Sequence, residues 1–129
     1  MEESAFTEHW LDDGVLHITW HRQFSDAALD TAIARHDKIV GGLSSTYLTL
    51  HEAPDGAPSI SARQRQRIRQ WLDEGDRDGT HRQLRRAAFV TDSAIVRGVL
   101  TAVLWFGERH YPMKSFEKRT QALDWLRQA

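Results

Sequence analysis

The stretch Val15-Leu16-His17-Ile18-Thr19-Trp20, directly after Asp13-Gly14, constrains the fold more than any other part of the chain. On an extended backbone Leu16, Ile18 and Trp20 share one face, and His17, Thr19 and His21 share the other. Such period-two alternation of β-branched and aromatic residues marks a half-buried strand. Asp-Gly is a strong hairpin turn signal. An earlier strand through Phe6 and Trp10 is therefore expected to pair with this one antiparallel.

The chain then alternates helix and strand signals. Ser25 or Asp26 caps a helix through Leu29, Ala32, Ile33 and Ile39, and Gly41-Gly42 stops it. Thr46 to Leu50 reads as a short strand, and Glu52 to Pro58, with two prolines and a glycine, as a loop at its carboxyl end. Ser61-Ala62-Arg63-Gln64 fits a capping box. The helix it opens buries Ile68, Trp71 and Leu72, with a break near Gly75 and a second interruption at Gly79. Ala87 to Val90 reads as a strand covered on both faces. A further helix, capped by Asp92 or Ser93, runs to about Gly107, and Tyr111 to Phe116 reads as an edge strand. A last helix buries Ala122, Leu123, Trp125 and Leu126. An antiparallel pair followed by βα units predicts an α/β fold. The expected sheet is mixed and five-stranded, its later strands parallel, joined by right-handed crossovers and covered by about four helices.

With 129 residues the chain has room for one domain, expected over 1–129. The absence of cysteine excludes disulfides, thiolate metal sites and cysteine nucleophiles. Met1-Glu2-Glu3-Ser4 lacks the basic start of a secretory signal, and the most apolar stretch, 94–107, is too short for a bilayer span of ~20 residues. Cytoplasmic residence without a membrane span is the expectation. Residues 1–58 carry 10 acidic and 3 basic side chains, whereas 59–86 carry 8 basic and 4 acidic. The fold is expected to set these unlike segments side by side so that they largely neutralise each other.

The element order, the length and three local patterns resemble the STAS-like superfamily, specifically its SpoIIAA-like and STAS/SEC14-type domains. The patterns are the junction Ala88-Phe89-Val90-Thr91-Asp92, Arg97 in the following helix, and the closing Phe116 with Ala122-Leu123-Asp124-Trp125-Leu126. The resemblance covers about residues 10–126 and implies a partner-binding domain with neither cofactor nor catalytic centre. Phospho-regulated members carry a serine at the start of the helix after the third strand. The comparable stretch here holds Ser59 and Ser61 but lacks their Asp-Ser-Ser/Thr-Gly pattern, so Ser61 is expected to be an ordinary cap.

Catalytic and metal motifs are missing from the sequence: it has no Gly-x-Ser-x-Gly elbow, phosphate loop, dinucleotide fingerprint or HExxH. The chain is not expected to be an enzyme, and no cofactor or metal is expected. Of the seven histidines, His17 and His21 share a strand face but stand four residues apart. That is about 13 Å, too far to share one metal, so the histidines are expected at the surface. Arg63, Arg65, Arg67 and Arg69 form a basic helix surface. They invite a nucleic-acid reading, disfavoured here against a solvated, partly ion-paired face. The helix 94–107 is apolar nearly all round. Leu100, Leu104 and Trp105, with Arg97 at the rim, are expected to form a surface for a protein partner or for self-association. The expected function is a non-catalytic, regulatory protein-interaction module. The alternative is a SEC14-like domain holding a small apolar ligand or lipid, for which the five tryptophans are candidate lining.

Overall fold

Gly14 turns the chain with φ +73, a left-handed conformation that favours glycine, and the Leu11 amide reaches the Val15 carbonyl at 2.7 Å. The turn joins β1 (Phe6–Trp10) to β2 (Val15–Trp20) in an antiparallel register that sets Phe6 opposite Trp20 and Trp10 opposite Leu16. The computed structural model describes residues 4–11, 14–54, 56, 58–94 and 110–128. Its remaining elements are α1 (Asp26–Gly41), β3 (Tyr47–Glu52), α2 (Ala62–Asp78), β4 (Leu84–Val90), β5 (Met113–Phe116) and α3 (Arg119–Arg127).

The five strands lie in sequence order, β1-β2-β3-β4-β5, with every pair after the first parallel. The expected mixed sheet is thus present, and β5 is an edge strand as expected. Three helices lie among the described residues. The fourth expected helix, over 94–107, falls on residues 95–109, which lie outside them.

The pleat divides the core in two. Phe6, Leu16, Ile18, Tyr47 and Ala87 point to one face and pack under Leu29, Ala32, Ile33 and Val40 of α1 and Trp71 of α2. Val15, Leu50 and Ala88 point to the other and meet Ala122 and Leu126 of α3. The β2–β3 and β3–β4 crossovers put α1 and α2 on the same side of the sheet, as crossovers of one hand between successive parallel strands must.

Some boundaries differ from expectation. Strand β4 begins at Leu84, three residues before the apolar run, because Arg86 works as a strand residue: its guanidinium lies 4.8 Å from the Trp125 ring and donates to the Trp125 carbonyl at 2.6 Å. On α1 the stripe facing the sheet is Leu29, Ala32, Ile33, His36 and Val40, with Ile39 only at its margin. Helix α2 does not break at Gly75. It runs to Asp78 and stops at Gly79, whose φ of +82 forms the left-handed cap. Gly75 serves instead for close approach: a Cβ there would stand 2.1 Å from His81 Nδ1.

Candidate functional site

His36 falls on the apolar stripe of α1, four residues before Val40, so α1 carries an imidazole into the sheet–helix interface. It meets Glu8 of β1, which stands two residues from both Phe6 and Trp10 and so shares their face of the strand. His36 Nδ1 donates to Glu8 Oε2 at 2.5 Å, and the Glu8 side chain is 2% exposed. The other oxygen, Oε1, has no hydrogen-bond partner among the described residues, although Arg35 Nε lies 3.7 Å away. Arg35 also donates to the Phe6 carbonyl, which holds it over the outer strand.

The neighbouring Asp37 receives two donors on one oxygen, Oδ1: Trp71 Nε1–H at 2.8 Å from α2, and His81 Nε2–H at 3.1 Å from the α2–β4 connection. Burial pushes the Asp37 carboxyl up, but the bonds from His81 and Trp71 outweigh it and hold the group below the usual carboxylate range. The His36 and Trp71 rings meet edge to face at 5.2 Å, and Trp71 and His81 at 5.7 Å. One donor atom from each of His36, Asp37 and His81 lies within 4.8 Å of the others. Tyr47, 2% exposed at the start of β3, has a hydroxyl without a hydrogen-bond partner among the described residues. Burial, with Tyr111, Asp37 and Glu8 nearby, drives its pKa far above the ordinary tyrosine value.

A second polar cluster occupies the opposite face of the sheet. His9 stands opposite His17 in the β1–β2 register, with ring nitrogens 3.4 Å apart, and His17 Nε2 lies 2.9 Å from Glu52 Oε1. Arg119 of α3 caps the same oxygen at 2.5 Å. Burial holds His17 below the ordinary histidine pKa against the pull of Glu52, and His9 and Arg119 add to the depression. Toward the carboxyl ends of the strands, Trp20 Nε1–H donates to His51 Nδ1 at 3.1 Å, and the His51 ring stacks on Phe89 at 4.5 Å. Burial, with smaller contributions from His36 and His17, lowers the His51 pKa to about 3.

These positions correct the expectation of surface histidines: His17, His36 and His81 are buried. Each has a carboxylate partner, which is what makes burial of an imidazole tolerable. Reasoning from spacing within one strand missed the cluster because its members come from β1, α1, α2 and the α2–β4 connection. One signal was legible, the place of His36 on the Leu29–Ile33–Val40 stripe.

The other sequence-derived residues separate. Ser61 caps α2: its Oγ accepts from Gln64 N at 3.1 Å while Gln64 Oε1 accepts from Ser61 N at 3.1 Å. Ser59 is exposed, and its amide donates to the Arg22 carbonyl at 2.7 Å. Arg67 pairs with Asp30 of α1 at 2.9 Å, and Arg63 reaches Asp26 at 3.7 Å. Arg65 and Arg69 are exposed on α2; Arg65 donates to the Ile60 carbonyl at 3.5 Å. Arg97, Leu100, Leu104 and Trp105 lie outside the described residues.

No family model matches the chain, and no curated protein matches it. Among solved structures it is similar to an uncharacterized protein of the DUF3478 family with a SpoIIAA-like fold from Shewanella loihica PV-4. The likeness has a TM-score of 0.68 at 16% identity and covers 98% of this chain and 95% of that one. The fold is SpoIIAA-like, as the sequence resemblance implied. Among the described residues no helix is long and apolar enough to cross a membrane.

Proposed function

We propose that the chain is a cytoplasmic, non-catalytic interaction module with a regulatory role, which binds a partner protein or a second copy of itself. The observation that carries this reading is Trp10. It ends β1, the outermost strand of the sheet, and is 44% exposed, the large hydrophobic side chain most open to solvent among the described residues. An aromatic ring at an unpaired strand edge is the kind of anchor on which interface energy concentrates. The sequence supplies a second candidate surface in Leu100, Leu104 and Trp105 with Arg97 at its rim, on the connection between β4 and β5.

The buried histidine–carboxylate cluster supports a module without a catalytic centre. It sits beside the amino-terminal ends of β3 and β4, whereas open α/β sheets bind substrates at the carboxyl ends of their strands. Among the described residues the tryptophans are held by internal contacts, which speaks against an apolar-ligand pocket: Trp71 donates to Asp37, Trp20 to His51, and Trp125 packs on Phe116 and Arg86. The pairing of Arg63 and Arg67 with α1 carboxylates likewise speaks against a phosphate-binding stripe.

The test compares wild type with Trp10→Ala and with Leu104→Ala/Trp105→Ala by sedimentation velocity and by affinity capture. The expected outcome is a loss of self-association or of a specific captured protein, with the near-ultraviolet circular dichroism of the fold retained. A wild type that stays monomeric and captures the same proteins as both variants refutes the proposal.

A further inference from the structure

We propose that His36, Asp37 and His81 form a binding site for one divalent transition-metal ion of the zinc class, set between α1, α2 and the outer strand β1.

The donor set fits that chemistry. Two imidazoles and one carboxylate suit zinc and its neighbours, whereas calcium and magnesium call for oxygen ligands. At bond lengths of about 2.0–2.1 Å the edges of a tetrahedral site are about 3.3–3.4 Å. His81 Nε2 and Asp37 Oδ1 already stand 3.1 Å apart, and the widest separation among the three donors is at most 4.8 Å. Small rotations of side chains therefore close the site without movement of the backbone.

For His36 the surroundings also have the part that a metal-binding histidine requires. A ligating imidazole commonly donates its other N–H to a carboxylate, which fixes its tautomer and raises its basicity. Glu8 does this for His36 by holding Nδ1, and so leaves Nε2 as the lone pair for the ion. For His81 the ion takes the place of the proton shared between Nε2 and Asp37. The ring proton moves to Nδ1, which lies against the side-chain-free surface of Gly75. Glu8, buried, and Asp37, 35% exposed, bring two carboxylates close together, and Arg35, at 3.7 Å, is the cation beside Glu8. A divalent ion supplies the missing positive charge.

Independently of the three donors, the Tyr47 hydroxyl is buried, without a hydrogen-bond partner among the described residues, and close enough to Asp37 and Glu8 for their charges to bear on it. An orphaned hydroxyl in the core is costly. A water or hydroxide completing the coordination of the ion would give it a partner. Sheet, helices and metal would then lock β1, the strand that ends in Trp10, against α1.

The experiment uses the full chain without an affinity tag, stripped with a chelator, titrated with zinc chloride by calorimetry and with cobalt chloride by absorption. The expected result is one ion per chain, a tetrahedral cobalt spectrum, and a rise in melting midpoint of roughly 8–12 °C at free zinc about 100-fold above Kd. His81→Gln and Asp37→Asn, which preserve hydrogen-bonding capacity, abolish binding while the metal-free midpoint stays near that of each variant's own untreated form. Glu8→Gln weakens binding by about 10–100-fold. His9→Ala, on the opposite face, leaves it unchanged. No stoichiometric uptake by the folded wild type, undiminished binding in Asp37→Asn, or a site lost with His9→Ala would each overturn the proposal.

Discussion

Gly75→Ala should destabilise this protein, although the same change in an ordinary helix interior stabilises by about 1 kcal/mol. A Cβ at position 75 would lie 2.1 Å from His81 Nδ1, 2.2 Å from Cε1 and 2.8 Å from Cγ. The ring is buried, so it cannot move far enough within its slot to clear a Cβ at 2.1 Å and has to leave. Leaving breaks its bond to the ionised Asp37, worth about 1.5–3 kcal/mol, and displacement of packed core atoms adds about 1–3 kcal/mol. Set against the helix gain, the net loss is about 1.5–5 kcal/mol. At about 4 °C per kcal/mol for a domain of this size, the melting midpoint falls by about 6–20 °C. Thermal unfolding followed by tryptophan fluorescence measures this, since Trp71 reports on the site. The sign should reverse in a His81→Ala background, where the slot is empty and Gly75→Ala regains its helix advantage of about 1 kcal/mol. A Gly75→Ala protein as stable as wild type, or the same effect in both backgrounds, refutes the claim that the glycine exists for the histidine.

Three further outcomes are expected. Ser61→Ala removes one half of the reciprocal cap on α2 and costs about 1 kcal/mol in denaturant unfolding, with unchanged m-value. Glu8→Ala leaves His36 buried without its carboxylate and costs about 3–5 kcal/mol, whereas Glu8→Leu/His36→Leu removes both polar partners and stays within about 2 kcal/mol of wild type; urea midpoints distinguish the two. Acid should destabilise through His51, whose folded pKa of about 3 lies below its ordinary value of 6.5. The unfolded chain takes up this proton as pH falls through 6.5 and the folded chain does not. Stability present above pH 6.5 is thus lost toward pH 3, about 1.4 kcal/mol by pH 5.5. In His51→Gln that share of the slope disappears, and an unchanged slope counts against a neutral, half-buried imidazole.

Much of the fold was legible because it is written in local periodicity. The alternation from Val15 to Trp20 needs only the pleat, and the Ser61–Gln64 box needs only one helical turn. The strand β4 was half legible, since its apolar centre stands out but Arg86 reads as a surface residue until α3 is placed beneath it. Gly75 misled for a physical reason. Glycine signals a helix break when the backbone is all that matters, yet here the helix continues and the missing side chain makes room for a ring six residues on. The same reason hid the cluster: Asp37 and His81 meet only when α1 and α2 pack side by side, and no spacing along the chain encodes that.

Clusters of this kind exact a desolvation cost that well-packed leucine would not, so their presence on α1's apolar stripe calls for a physical return. Strand β1 pairs with β2 alone, and a strand at the edge of a sheet is its least anchored part. Glu8 gives it a directional tie, because the bonds to His36 and the pull of Arg35 are satisfied in one register only. A slip of β1 by one residue would turn Glu8 to the opposite face, beside His17, and bring Thr7 or His9 inward without a carboxylate for His36. The polar cluster therefore fixes where Trp10 emerges at the open edge. Any event that tightens or loosens His36, Asp37 and His81 acts on β1, and through it on the proposed surface around Trp10.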